Sequence, residues 1–267
     1  MIKRIFKNRT FYVLLCIALL IFIRHIKCER NSYYMPEYKY VKITSESTDD
    51  EIFKYTGLSG KAAKEMDKES LGYLNKLYFE KPDIKKEYIL FPFTAEERVQ
   101  RDATPLAPLK NGDILITFNT ITLDWRHGHA AIVTDANKGI IHEHMSVGNN
   151  STTGYASKWG KYAAFAVLRH PDENTANSAA EYAKEHLTDV PYSIFAGIPQ
   201  KDMSKEEKIK SSHCSHIVWQ AYKAVGEDID QNGGMIVTPK DIAKSNKLKV
   251  VQVFGLNPEK YKNRILK

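Results

Sequence analysis

The chain has 267 residues, of which 43% are hydrophobic and 27% charged. That balance excludes a disordered protein and suffices for one sizeable domain with an extension. The formal net charge is +7, but no stacking-aromatic module or helix-turn-helix pattern goes with it, so the expected partner is an anionic membrane or cell-wall surface and no nucleic acid.

Lys3, Arg4, Lys7 and Arg9 open the chain, and 13 residues from Phe11 to Ile23 follow without a charge or a breaker. A basic start before a short apolar run is the pattern of an export signal. As a helix the run covers about 20 Å, short of the ~30 Å of a bilayer core. No small-x-small cleavage site follows, and His25, Ile26 and Lys27 do not make a lipobox before Cys28. The expectation is an exported, extracytoplasmic protein, secreted or anchored by residues 1–28. A buried core helix is the alternative, disfavoured by the cationic flanks. Cys16 and Cys28 fall in this segment, so the body carries Cys214 alone and no internal disulfide framework.

Residues 29–100 are polar, rich in tyrosine and lysine, and irregular in period. They contain helical stretches with a cap at Asp49 or Asp50 and a stop at Pro82, and are expected to form an N-terminal extension packed on the main domain, residues 101–267. Asn111-Gly112 signals a turn before a strand from Asp113 to Phe118. "GHAAIVTD", "KGIIHEHMSVG" and "AAFAVLRH" read as three further strands. "ENTANSAAEYAKEHL" places Ala176, Ala179, Ala180, Ala183 and Leu187 on one helical face. A helix at Cys214 follows, with Ile217, Val218, Ala221, Tyr222 and Val225 along one side, and "KVVQVFG" is a last strand. Consecutive strands followed by helices predict an α+β fold with helices packed on an antiparallel sheet.

Cys214 is expected in the first turn of its helix, with Ser211 or Ser212 as the cap. There the helix dipole favours the thiolate, and unpaired N–H groups are placed to hold a developing oxyanion. A free cysteine is equally often a small buried residue. A nucleophile needs a base and the base an orienting group. His129 opens one strand and His142 lies 13 residues on, in the neighbouring strand, so an antiparallel hairpin brings the two rings together. His127, His144, His213 and His216 read as surface or packing residues. A rival reading pairs His127 with His129 and His142 with His144 as zinc ligands, with Cys214 or a water completing the set; a position for His127 in the preceding turn would break the first pair.

"NGDILITF", "GHAAIVTDANKGIIHEH", "PYSIFAG", "HCSHIVWQAYKAVG" and "TPKDIAKS" together resemble the permuted papain-like amidases of the YaeF/YiiX group. These are relatives of NlpC-type cell-wall endopeptidases and of lecithin-retinol acyltransferases. The resemblance covers roughly residues 105 to 250. It implies a circularly permuted papain-like (NlpC-type) fold and Cys–His chemistry on amide or ester bonds. Cys214 falls on the family's nucleophile, His129 on its base, and the orienting position on "IIHEH", where His142 matches best and Glu143 is the alternative. His216 stands where an acidic residue is frequent, which touches the substrate pocket more than the chemistry.

The expected function is a cysteine amidase or peptidase without metal or cofactor, acting on a peptide or amide substrate such as peptidoglycan stem peptides. A lipid acyl hydrolase or acyltransferase using the same site, and a non-catalytic cell-wall binding domain, are the alternatives.

Overall fold

A computed structural model describes residues 9–27, 33–90, 94–122, 125–196, 198 and 209–267. The apolar run lies in helix α1 (Arg9–Lys27), where Tyr12, Val13, Leu14, Leu15, Ile17, Leu19 and Leu20 are exposed. No described helix is long and apolar enough to cross a membrane. Cys28 lies outside the described residues.

Helices α2 (Asp49–Thr56), α3 (Gly60–Glu65) and α4 (Lys68–Tyr78) follow, each opened by a short polar cap: Thr48, Ser59 and Asp67. The first cap is thus Thr48 rather than Asp49 or Asp50. Thr48 Oγ1 accepts from the Glu51 N–H at 3.3 Å and the Glu51 carboxylate accepts from the Thr48 N–H at 2.8 Å, a reciprocal arrangement that satisfies two helix-end donors. Asp49 and Asp50 instead occupy the first turn, where the dipole favours negative charge.

Ten strands come next: β1 (Ile84–Leu90), β2 (Thr94–Val99), β3 (Ile114–Thr117), β4 (Thr120–Thr122), β5 (Trp125–Arg126), β6 (His129–Asp135), β7 (Ile140–Glu143), β8 (Thr152–Tyr155), β9 (Phe165–Arg169) and β10 (Lys249–Phe254). Between β9 and β10 run α5 (Glu173–His186), α6 (Cys214–Ala224) and α7 (Pro239–Lys244). The main sheet has the order β10-β9-β3-β6-β7-β8 and a smaller one the order β1-β2-β4-β5, with antiparallel neighbours throughout. The fold is α+β, with antiparallel sheets and several helices.

The central strands are buried on both faces, which is why "ILIT" and "HAAIV" read as nearly continuous apolar runs. Alternation sorts their side chains. Ile114, Ile116, Ala130, Ile132, Ala166 and Leu168 form one cluster with Ala179 and Ala183 of α5 and Ile217, Val218 and Ala221 of α6. Leu115, Ala131, Val133, Ile141 and Val167 form the other with Trp159 and, from the extension, Leu58, Leu74, Leu77 and Tyr78. Each large aliphatic side chain buried this way contributes about 1.5–3 kcal/mol relative to exposure. The predicted face of α5 is the one observed: Ala176, Ala179, Ala180, Ala183 and Leu187 are all buried.

Residues 33–90 are therefore part of the same core as the body. Leu58 forms a bridge to Gln252, the Ser59 N–H donates to the Val251 carbonyl at 2.8 Å, and the Val253 N–H donates to the Gly57 carbonyl at 2.7 Å. The small sheet also crosses residue 100, since β2 pairs with β4. Two ion pairs, one buried and one half-buried, tie the loops down. Arg169 Nε and Nη2 each donate to Asp113 at 2.7 Å, and Arg126 Nη1 and Nη2 donate to Glu97 at 2.7 and 2.9 Å.

Gly57 ends α2 at φ 71°, and a Cβ there would lie 1.8 Å from the Val253 carbonyl oxygen. Gly139 also has a positive φ, 64°, but nothing within 4 Å of its missing Cβ. Gly139→Ala should therefore cost about 1 kcal/mol of backbone strain, and Gly57→Ala at least about 3 kcal/mol through strain plus overpacking. Urea unfolding of both variants checks this; equal losses would mean that the extension does not press on β10.

Candidate active site

Cys214 is the first residue of α6 and is 8% exposed. Two contacts fix this end of the helix and one its far end. His213 is the cap, its Nδ1 accepting from the His216 N–H at 3.3 Å. Ser215 Oγ donates to the Val237 carbonyl at 2.8 Å, and Tyr222 Oη donates to the Gly112 carbonyl at 2.6 Å. The expected serine cap is thus displaced by His213, because Ser212 Oγ is engaged with His216 Nδ1 at 3.0 Å. With the His216 N–H taken by the cap, the Cys214 and Ser215 N–H groups occupy the positions that a helix leaves without internal acceptors.

His129 is the first residue of β6, at the end of the sheet where α6 begins. Its Nε2 meets Glu143 Oε2 at 2.9 Å, which leaves Nδ1 for the Cys214 thiol. The ring stacks on Trp159, with centroids 5.5 Å apart and planes 16° from parallel. Glu143 is 2% exposed, and its second oxygen is held by Lys158 Nζ. Gly154, on β8, leaves room for that carboxylate: a Cβ there would lie 2.5 Å from Glu143 Oε1.

The structure brings Glu143, and not His142, to His129. In the β6–β7 pairing Ala131 faces Glu143 and Ile132 faces His142. Cross-strand partners share a sheet face and successive residues alternate, so Glu143 shares the face of Ala131 and His129 while His142 points to the other. There its Nε2 donates to, and is spent on, the Leu187 carbonyl at 2.7 Å. A hairpin alone does not bring two histidine rings together; register decides, and the irregularity between Val133 and Asp135 helps set it.

The other histidines are more engaged than the sequence suggests. His127 lies between β5 and β6, its ring on Thr122 Oγ1 at 3.0 Å and the Gly128 carbonyl at 2.8 Å. His144 is fully buried, on the Asn149 carbonyl at 3.1 Å and edge-on to Tyr192 at 4.9 Å. His213, expected at the surface or in packing, is the buried cap of the cysteine helix. Among the described residues no group of three or more His, Cys, Asp or Glu side chains is placed to hold a metal ion, so the paired-histidine zinc reading has no geometry behind it.

Electrostatics gives this arrangement its character. Burial alone would push the Cys214 thiol up, but His129 and His213 outweigh it and hold the thiol well below its ordinary value. Burial would likewise lower His129, yet Cys214 and Glu143 raise it to about 9. Glu143 is lowered to about 2 despite its burial, by His129 and Lys158. His127, His142 and His144, by contrast, are lowered chiefly by burial and stay neutral. From Lys158 through Glu143 and His129 to Cys214 the charges alternate, an arrangement that favours the thiolate–imidazolium form of the pair.

Lys158, Trp159, Gly154 and His213 carry no sequence signal for these roles. Comparisons with protein-family models, curated proteins and solved structures give no match to the chain.

Glu143 raises the His129 pKa, so its neutralisation should lower it. In Glu143→Gln an NMR titration of the His129 ring should move its midpoint at least one unit below about 9. His142→Ala should leave that midpoint in place and cost stability instead. The reverse pattern would assign the orienting role to His142.

Proposed function

We propose that the chain is an extracytoplasmic cysteine hydrolase that cleaves amide bonds, with cell-wall stem peptides as its substrate class. The observation that carries this is the buried series Cys214–His129–Glu143, with the cysteine at a helix N-terminus. Activated thiolates of this kind are found where a nucleophile is needed, not where a small side chain fills a core.

In the first half-reaction the Cys214 thiolate attacks the substrate carbonyl carbon, and the carbonyl oxygen takes the negative charge beside the free N–H groups of the first helical turn. His129, protonated on Nδ1, gives that proton to the leaving amine as the C–N bond breaks, which leaves a thioester on Cys214. In the second half, neutral His129 takes a proton from water, hydroxide adds to the thioester, and the carboxylic acid leaves as the thiolate is restored. Glu143 keeps the ring oriented through Nε2 and stabilises its cationic form in both halves. The order of histidine strand before cysteine helix, both against one antiparallel sheet, supports a circularly permuted papain-like scaffold. The basic, apolar N-terminal segment supports export and a place at an anionic membrane or wall, secreted or anchored.

A lipid acyl substrate is the second reading, and exposed apolar side chains favour it. Trp125, Ile194, Phe195, Met235 and Ile236 are exposed on segments adjoining the site. Trp125 stands edge-on to His127, Ile194 and Phe195 follow Tyr192, and Met235 and Ile236 precede Val237, the acceptor for Ser215.

Cys214→Ala should abolish hydrolysis and His129→Ala should slow it by about 10²–10⁴, while Cys28→Ala retains full activity. Amine release from stem peptides, compared with fatty-acid release from anionic vesicles, separates the substrates. Turnover of neither substrate, or unchanged turnover in Cys214→Ala, would leave a wall-binding domain.

A further inference from the structure

Trp159 lies against His129 and takes no part in the hydrogen bonds of the series. Its indole is fully buried and stacks on the imidazole, with centroids 5.5 Å apart and planes 16° from parallel. The turn that carries it is pinned on several sides. Arg98 Nη1 donates to the Lys158 carbonyl at 2.9 Å, the Thr104 N–H donates to the Gly160 carbonyl at 2.9 Å, and Tyr162 stands edge-on to the indole at 5.3 Å. The indole Nε1 is buried without a hydrogen-bond partner among the described residues. A buried tryptophan usually finds a partner for that group, and leaving it unpaired is costly. For filling space alone, a phenyl ring would serve without that cost. What the indole adds is the π face that attracts a cation most strongly.

We propose that Trp159 is a positioning residue whose indole face holds the plane of the His129 ring and favours its protonated form over its neutral one. This rests on His129 serving Cys214. A cation within about 6 Å of an aromatic centroid is drawn to the negative face of the ring, more strongly where water is absent, and a neutral imidazole gains much less. An interaction that discriminates between two protonation states changes basicity. The indole thus adds to Glu143 from a different direction. The carboxylate acts in the plane of the imidazole, through Nε2, and the indole acts on its face. Stacking uses neither ring nitrogen, so Nδ1 stays available to the thiol.

The charged and titratable groups around His129 are Cys214 from α6, Glu143 from β7 with Lys158 behind it, and His127 from the link between β5 and β6. His127 is kept neutral by burial, and burial likewise keeps the Tyr162 phenol protonated. From β3 the neighbour is Thr117, whose hydroxyl donates to the Ala164 carbonyl at 2.7 Å. None of these groups is altered when the electron density of the indole alone is changed.

The test replaces Trp159 alone, in the full chain, by monofluorinated and then tetrafluorinated tryptophan, which drains the π face while nearly keeping its shape. Trp159→Leu, which fills the site without a face, is the further variant. Each is followed by an NMR titration of the His129 ring, by the pH dependence of Cys214 alkylation with iodoacetamide, and by a thermal melt. The His129 midpoint should fall stepwise from about 9 with fluorination. With four fluorines the fall should be at least about half a unit, a roughly threefold loss in proton affinity, and the thiol should titrate correspondingly higher. Trp159→Leu should lower the midpoint at least as far. Midpoints that stay with wild type in both fluorinated proteins, whatever Tm is lost in Trp159→Leu, would overturn the proposal and leave Trp159 a packing residue. A wild-type His129 at its ordinary ~6.5, with a thiol near its ordinary ~8.5, would overturn the nucleophile reading as well.

Discussion

The carboxylate of Glu143, 2% exposed, lies between the Lys158 ammonium and the His129 imidazole. Removing such a group from water costs several kcal/mol unless its charge is compensated and its oxygens are bonded. Here each oxygen has one cationic partner, and His129 in turn has the thiolate on its far nitrogen. The charges are therefore not independent. Loss of Lys158 would make Glu143 easier to protonate, a protonated Glu143 would leave His129 less basic, and a neutral His129 would hold less thiolate. Three elements converge to keep the series dry: β7 supplies the carboxylate, β8 leaves space for it, and the turn over residues Ala156–Lys161 brings both Lys158 and the stacking Trp159.

The spacing of the Cys214 thiol and the His129 imidazole depends on two parts of the fold outside the series itself. The end of β6 is set by its pairing with β3, where Thr117 faces His129. The start of α6 is set by the Ser215 bond to the Val237 carbonyl, its last turn by the Tyr222 bond to the Gly112 carbonyl, and the whole helix by packing on the face of Ala130 and Ile132. Interiors this closely packed do not deform gradually, so thiol and imidazole stay in register without a bond between their backbones.

Much of this was legible in the sequence, for physical reasons that also explain what was not. The central strands are buried on both faces, α5 on one face and α6 all round from Cys214 to Tyr222, so their apolar residues announce them. The small sheet does not announce itself. "TAEERV" is polar, and its Glu96 and Glu97 are buried because Tyr162, Arg126 and Asn119, from elsewhere in the chain, and Arg98, two residues on in the same strand, bond to them. Cys214 and His129 stand out by residue type and place. Whether residue 142 or 143 faces His129 is a question of parity, and a strand irregularity can reverse parity. Lys158 reaches the site from a turn with no recurring pattern, and a histidine cap is not among the side chains that ordinarily signal a helix start.

The residues that line β10 have a kinetic consequence. Leu58 bridges Gln252 on that strand, and Ile265 bridges Val250. The N-terminal extension and the last residues of the chain thus both close the same edge, and they shield its backbone from other strands. The extension is made well before its partner strand, so its docking joins segments far apart in the sequence. Contacts of such long range form late and slowly. A chain that crosses a membrane unfolded and N-terminus first would keep the faces of Leu58, Leu74 and Leu77 uncovered until β10 had followed, so the sheet edge could be sealed only once that strand had emerged.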